Sequence, residues 1–561
     1  MSFPIEASLD LSASLKKAES YQQYQVPRSD GTSLLMPKRA QIVETLKQAR
    51  PLAELQDEPE FCGVPLSAAR GAAQRELLER ARRYTGSYDL ANFAAGSESA
   101  EGAETPPLLI SGHQPEIFHS GVWFKNFLLN SLARDSSATA INIAIDNDLC
   151  RSTALRVPRL SSSGDLTSTQ IAFDDSRSAI PWEHRQLVSR STWDAFPEQI
   201  KRALATFNVA TDEPLLLEKY WALASHFLNE DHRLGLALAR ARHQMEIKSG
   251  VNNLELPLSS VVNTDWFARF SLQIMVELPR FCEVYNQCRE AYRLAHRIRN
   301  EAHPVPALEE SDGWLEGPWW VYRSENPTRQ RLWIRNLNGQ LILSDRAGWQ
   351  TTIDGAVDDE GAVHQWLDLQ MDGVQIRPRA LLTTMYLRLF MSQVFVHGIG
   401  GGKYDQVTDN IIRNFFSVDA PPMAVATATL HLPLLTGASA SVDSIQQQIQ
   451  QFRTRLWDLK HSPEQLDVDL GPDFRQLCLD KSALIKSIPP RGEKWQWHQD
   501  LKKVSSALAA CTDNLRDETT KQIAGLEKQL RSATIAESRE YAWPLFTESE
   551  LIPHLKQLAE S

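Results

Sequence analysis

No two cysteines form the close pair of a structural zinc site in this sequence: Cys62, Cys150, Cys282, Cys288, Cys478 and Cys511 are scattered over 561 residues, and the nearest two, Cys282 and Cys288, have five residues between them. Structural zinc sites use closely spaced thiolates, so none is expected and the thiols are read as reduced. No run approaches the roughly twenty apolar residues that a membrane helix needs. The first twenty residues, MSFPIEASLDLSASLKKAES, lack the basic start and apolar core of a secretory signal, so a cytoplasmic protein with no membrane partner is expected. Basic excess is also missing, and a net charge of −11 argues against nucleic acid as a partner, because phosphate neutralisation needs clustered Lys and Arg. The absence of a Gly-x-Ser-x-Gly elbow, a His-Glu-x-x-His pair and the kinase motifs argues against simple serine hydrolases, zinc proteases and kinases.

What is present begins with Leu108–Asp148. A short apolar run stops at Gly112, a polar turn carries His113, Gln114 and His119, a helix-like segment starts near Gly121, and a second apolar run ends at Asp146 and Asp148. Strand, loop, helix and strand in this order predict a βαβ unit, and ligands of such units sit beyond the carboxyl ends of the strands. His119 at the helix start can hold a phosphate or protonate a leaving group, and Lys125, one turn in, can reach a phosphate. The alternative for both histidines is a turn in which they satisfy backbone groups. Asp146 and Asp148 share one face if the strand persists, and can take a ribose hydroxyl, an amine or a magnesium water; otherwise they cap the next segment.

Further along, the spacing predicts helices over residues 193–248 and Asn263–Arg299 and short β runs over Trp314–Ile353, where Leu-Asn-Gly-Gln marks a hairpin. The strand Val394–His397 is followed by a glycine-rich loop, Gly398 to Lys403, and a helix from Asp405. Gly398, Gly400, Gly401 and Gly402 can turn backbone N–H groups towards a phosphate, with His397, Lys403 and Asp405 beside them. They can equally serve a tight bend.

The expected organisation is an α/β chain with a Rossmann-like core split by a helical and small β insertion and followed by a C-terminal coiled-coil hairpin. A helical N-terminal segment (1–105) wraps the core. The two core halves span 106–192 and 374–438, and the insertion 193–373. Residues 439–538 form the helical hairpin, Ser441–Leu459 pairing with Gln496–Ser532, and 539–561 dock back on the core.

The order of segments resembles the bacillithiol-synthesis cysteine-adding ligase family. The counterparts are Gly112-His113-Gln114, Ile117-Phe118, Ser120-Gly121, Lys125, Asp146-Asn147-Asp148, Arg377–Tyr386, Gly398–Lys403 and Pro422-Met423. His113 stands where the family has glutamine, and Gly402-Lys403 where it has Gly-Glu. The resemblance implies a nucleotide-sized pocket and dimerisation through the coiled coil. The expected function is a nucleotide- or phosphate-dependent ligase or transferase for a small amine- or thiol-bearing metabolite, with ATP or ADP and magnesium as candidate cofactors. The rival reading is a non-catalytic metabolite- or nucleotide-binding protein that dimerises in the same way. The expected catalytic set is His119, Lys125, Asp148 and Lys403.

Overall fold

The structure is a computed structural model that describes residues 21–48, 59–88, 105–175, 178–207, 213–300, 305–354, 360–433, 441–468 and 470–561. Its strands, in chain order, are β1 (Thr32–Met36), β2 (Glu60–Phe61), β3 (Val64–Pro65), β4 (Leu108–His113), β5 (Thr139–Ala144), β6 (Ala154–Leu160), β7 (Leu166–Ala172) and β8 (Leu254–Pro257). They continue with β9 (Glu310–Ser311), β10 (Trp314–Arg323), β11 (Asn326–Leu337), β12 (Gln340–Ser344), β13 (Gln350–Ile353), β14 (Val374–Pro378), β15 (Val394–His397) and β16 (Met423–Thr429).

The apolar runs of β4, β5 and β15 are covered on both faces. Leu108 and Ile110 point into one apolar cluster and Leu109 into another, while Phe395 joins the first and Val394 and Val396 the second. That is the period of two of a strand, and a strand buried on both sides reads as an unbroken apolar run. The sheet they form runs β1-β16-β15-β4-β5-β8, with every neighbour parallel except the edge pair of β1 and β16. The chain goes outward from β4 to β5 and β8, then returns to the other side of β4 as β15 and moves out to β16. Strand order therefore reverses between β4 and β15.

The opening βαβ unit forms as expected, with helix Ser120–Ser136 between parallel β4 and β5. His119 is the helix N-cap, and Ser137 ends the helix in the left-handed region at φ 54°. The β runs after Trp314 form a second, antiparallel sheet ordered β13-β12-β11-β10-β14. Its Asn338-Gly339 turn has both residues at positive φ, 53° and 87°, which matches the twist of the hairpin strands.

Four expectations are corrected. Leu254–Pro257, inside the expected insertion, is β8 and pairs with β5 in the central sheet. Val374–Pro378, expected to begin the second half of the core, is β14 and pairs with β10 of the second sheet. The N-terminal segment is not wholly helical, because Thr32–Met36 forms β1 against β16. The glycines after β15 are not a loop: Gly398 is the N-cap and helix Ile399–Ile411 already contains Gly400, Gly401 and Gly402.

The C-terminal region is helical. Val442–His461 lies antiparallel to Asp513–Ala536, joined by Arg453–Glu527 at 2.9 Å and sealed by Ile445, Ile449 and Ile523. The stretch expected to pair as one helix from Gln496 is two helices, and the first, Lys494–Cys511, packs instead on Pro472–Lys486. The tail returns to the core, where Trp543 stacks on Trp123 with ring centroids 4.1 Å apart. Residues 49–55 of a helix expected over Lys38–Leu55, and residues 97–104 of a Ser/Glu/Gly-rich surface loop expected before the first core strand, lie outside the described residues. Among the described residues no helix is long and apolar enough to cross a membrane.

Gly402 is a packing residue, since a Cβ there would come within 2.3 Å of Val425 Cγ2, whereas Gly400 faces open space. Gly402→Ala should destabilise the fold by roughly 1–3 kcal/mol through overpacking. Gly400→Ala should be neutral or stabilising by up to about 1 kcal/mol, the helix-propensity gain. Urea midpoints of the two variants check this pair.

Candidate functional site

A cavity of about 800 Å³ opens at the carboxyl ends of β4 and β15. That is the place where strand order reverses and the following helices leave on opposite sides of the sheet, the geometry that makes a ligand crevice in open α/β folds. Gly112, His113, Gln114, His119, Gly121 and Lys125 line it from the first half of the sheet, with Asp148 from the turn after β5. His397, Gly398, Gly400 and Gly401 line it from the second half. Two segments far apart in sequence thus converge on one cavity. Asp146, Gly402, Lys403 and Asp405 are not on its wall. Lys403 is exposed, because in a helix that starts at Ile399 it faces away from buried Gly402, Asp405 and Gln406.

The cavity is positively charged. Lys125, Arg151, Arg329, Arg379 and Arg539 line it, five basic groups against two carboxylates, Asp148 and Glu540. Lys125 is only 2% exposed, and its Nζ donates to the Gly112 carbonyl at 3.1 Å and the Ser111 hydroxyl at 3.4 Å. Both acceptors are neutral. Burial, reinforced by Arg242, pushes the ammonium down from the ordinary lysine range to about 8. A buried cation without a carboxylate partner costs stability, and such costs concentrate at functional sites. The N-termini of helices Ser120–Ser136 and Ile399–Ile411 add partial positive charge at the same mouth.

The three imidazoles of the cavity are not equivalent. His119 Nδ1 accepts the Gly121 N–H at 3.1 Å, which puts the ring proton on Nε2. Burial, Arg539 and Lys125 together push its imidazole down to about 3. His113 is likewise pushed down to about 3, by burial and by Lys125. Burial thus favours the neutral form of both rings, and His119 caps the helix with its one N–H left on Nε2. His397 differs: its Nε2 lies 2.8 Å from Oδ2 of Asp405, a carboxylate buried behind it.

The carboxylates separate as well. β5 ends at Ala144, so Asp146 and Asp148 do not share a face. Asp146 turns inward, where its Oδ1 accepts the Ser259 N–H at 2.9 Å, which caps the short helix Leu258–Val261. Burial and the nearby Glu183 raise the Asp146 carboxyl to about 7. Asp148 faces the cavity, accepting from Gln114 Nε2 at 2.9 Å and Arg329 Nη1 at 3.2 Å. The expected carboxylate pair for magnesium is therefore not assembled, and among the described residues no group of three His, Cys, Asp or Glu could hold a metal ion. These residues do not fit a protein-held magnesium.

Sequence reasoning missed the contribution of the second sheet. β10 supplies Trp320, β11 supplies Arg329 and the residue after β14 is Arg379; the two guanidinium carbons stand 4.8 and 4.2 Å from the Trp320 ring centroid. Arg539, from the C-terminal segment, donates to Thr427 at 2.6 Å. The only sequence signal was Arg377-Pro378-Arg379, which entered through the family resemblance alone.

No protein-family model matches the chain, and no curated protein matches it.

The depressed Lys125 value fixes the sign of a pH effect. Below about 8 the ammonium is charged in both states and the burial penalty is complete; between about 8 and 10.5 the unfolded chain holds more protons, so stability rises with pH. Lys125→Met should therefore stabilise the protein at neutral pH by roughly 1–3 kcal/mol. The gain should shrink as the pH approaches 10.5. Urea unfolding at both ends of that range measures it.

Proposed function

We propose that the chain is a nucleotide- or phosphate-dependent ligase or transferase that joins a small amine- or thiol-bearing metabolite to an acceptor. The observation that carries this reading is the charge of the cavity: five basic groups against two carboxylates, in a protein whose net charge is −11. A phosphate-bearing ligand would supply the negative charge that Lys125 lacks and would meet two helix N-termini. The volume of about 800 Å³ suits a nucleotide-sized molecule.

We read the core as Rossmann-like because its five parallel strands have the chain order 3-2-1-4-5. The resemblance to the bacillithiol-synthesis cysteine-adding ligase family supports the reaction class. Of the two departures from that family, Gly402-Lys403 falls outside the cavity and His113 falls on its wall, so a change of substrate would act through His113. Lys403 is accordingly dropped from the proposed catalytic set, and Arg329 takes its charge-neutralising role. We also read the helical region as a dimerising coiled coil, supported by large apolar side chains left exposed on it, among them Trp457, Leu479, Ile488 and Trp495. A cytoplasmic setting agrees with six free cysteines.

Calorimetric titration with ADP and with pyrophosphate, each with and without magnesium, tests the reading. The wild type should bind, and Lys125→Met and Arg329→Gln should each weaken binding about tenfold or more, the cost of a charge-assisted hydrogen bond. Lys403→Gln should bind as the wild type does. Absence of binding, or equal loss in Lys403→Gln, would sink the proposal.

A further inference from the structure

Among the three cavity imidazoles, His397 is the one with a buried carboxylate at hydrogen-bonding distance, whereas the carboxylate nearest His119, that of exposed Glu540, stands 3.9 Å from its Nε2. Asp405 is fully buried and doubly held: Arg388 Nη1 donates to its Oδ2 at 2.6 Å, and the Thr384 hydroxyl donates to its Oδ1. Arg388 is itself fixed by Asp409 at 2.6 Å through its other terminal nitrogen and by the Pro421 carbonyl. It sits in a π-helical turn, Leu387–Met391, an irregularity that recurs at functional sites. Burial alone would raise the Asp405 carboxyl, but Arg388, His397 and Thr384 hold it below the usual carboxylate range, so it stays ionised.

The other nitrogen of the His397 ring lies against Gly401. Among the described residues no protein group hydrogen-bonds its Nδ1, and Gly401 leaves the space beside that atom, since a Cβ there would come within 2.8 Å of it. Gly401 and His397 both line the cavity. An ionised carboxylate that accepts the Nε2 proton fixes the tautomer with a bare Nδ1 and stabilises the imidazolium that forms on protonation, the logic by which an Asp–His pair activates a nucleophile. His119 cannot take this part because its Nδ1 is spent on the Gly121 N–H.

We propose that His397, oriented by Asp405 and Arg388, is the general base that deprotonates the amine or thiol nucleophile at this site. The assignment rests on the ligase or transferase reading above. As the nucleophile attacks an acceptor carbon that carries a phosphate leaving group, its proton passes to Nδ1 and the new bond to carbon forms. The carbon–oxygen bond to phosphate breaks, its electron pair departs on the phosphate oxygen, and the imidazolium rests against Asp405 through Nε2–H. Asp405 and Arg388 are positioning residues that act through the ring.

Two measurements separate this from the parent reading. Nitrogen-15 NMR of the histidine-labelled full chain, with His397 assigned from His397→Gln, reads the resting tautomer at about pH 7.5. A protonated Nε2 and a bare Nδ1 are expected; a protonated Nδ1 would overturn the assignment, because that atom could accept nothing. Calorimetry with ADP then compares wild type and His397→Gln, where affinities within about threefold are expected of a base. A loss beyond about tenfold would make His397 a binding contact and overturn the role. A wild type that binds no ADP would overturn the phosphate reading, while the NMR result still decides the dyad.

Discussion

The pairing of β4 with β15 is the constraint on which the site depends. Ser111 Oγ donates to the Val396 carbonyl at 2.8 Å across a sequence separation of 285 residues, beside the parallel register that joins Leu109 to Val394 and Ser111 to Val396. Because the chain leaves β4 towards one edge and leaves β15 towards the other, the connections after these strands diverge. The gap between them cannot be filled by either helix. It becomes a cavity whose floor is the ends of two adjacent strands and whose sides are two helix N-termini.

The second sheet closes that gap with charge. Its seat on the core includes a buried ion pair, Arg377 on β14 with Glu183 at 2.9 Å, while Arg379 meets Glu316 of β10 at 2.6 Å within the sheet. Tyr322 of β10 donates to the same Glu183, near Asp146 in the turn after β5. Removing one member of such a pair leaves a buried charge and costs several kcal/mol, of order 3–5. The alignment of Trp320, Arg329 and Arg379 over the cavity is therefore stiff. Lys125 is the complementary case, a buried charge with no carboxylate bonded to it among the described residues, and such uncompensated charges concentrate at functional sites.

Much of this was legible wherever the signal was local. Val394–His397, the βαβ unit and the Asn338-Gly339 hairpin follow from residue type and spacing over a few positions. Allegiance was not legible: LELP at 254–257 and VQIRP at 374–378 are short apolar runs, and nothing in four or five residues says which sheet completes them. The misreading of Lys403 came from helix phase. Four glycines looked like a loop, yet they accept helical geometry where the first turn lies against β16, and starting the helix at Ile399 turns Lys403 to solvent and Asp405 inward. Asp146 was misplaced because β5 ends at Ala144, before either carboxylate, so the extended chain that a shared face needs does not reach them. Arg329, Arg379 and Arg539 converge only through tertiary pairing, so no spacing announced them.

The central claim is that this cavity binds a phosphate-bearing anion between its two halves. A crystal structure of the protein grown with pyrophosphate tests it most directly. Phosphate density within hydrogen-bonding distance of Lys125 and Arg329, at the mouth between Gly121 and Gly398, is the predicted result. Clear density for the anion elsewhere, with this cavity holding only water, would contradict it.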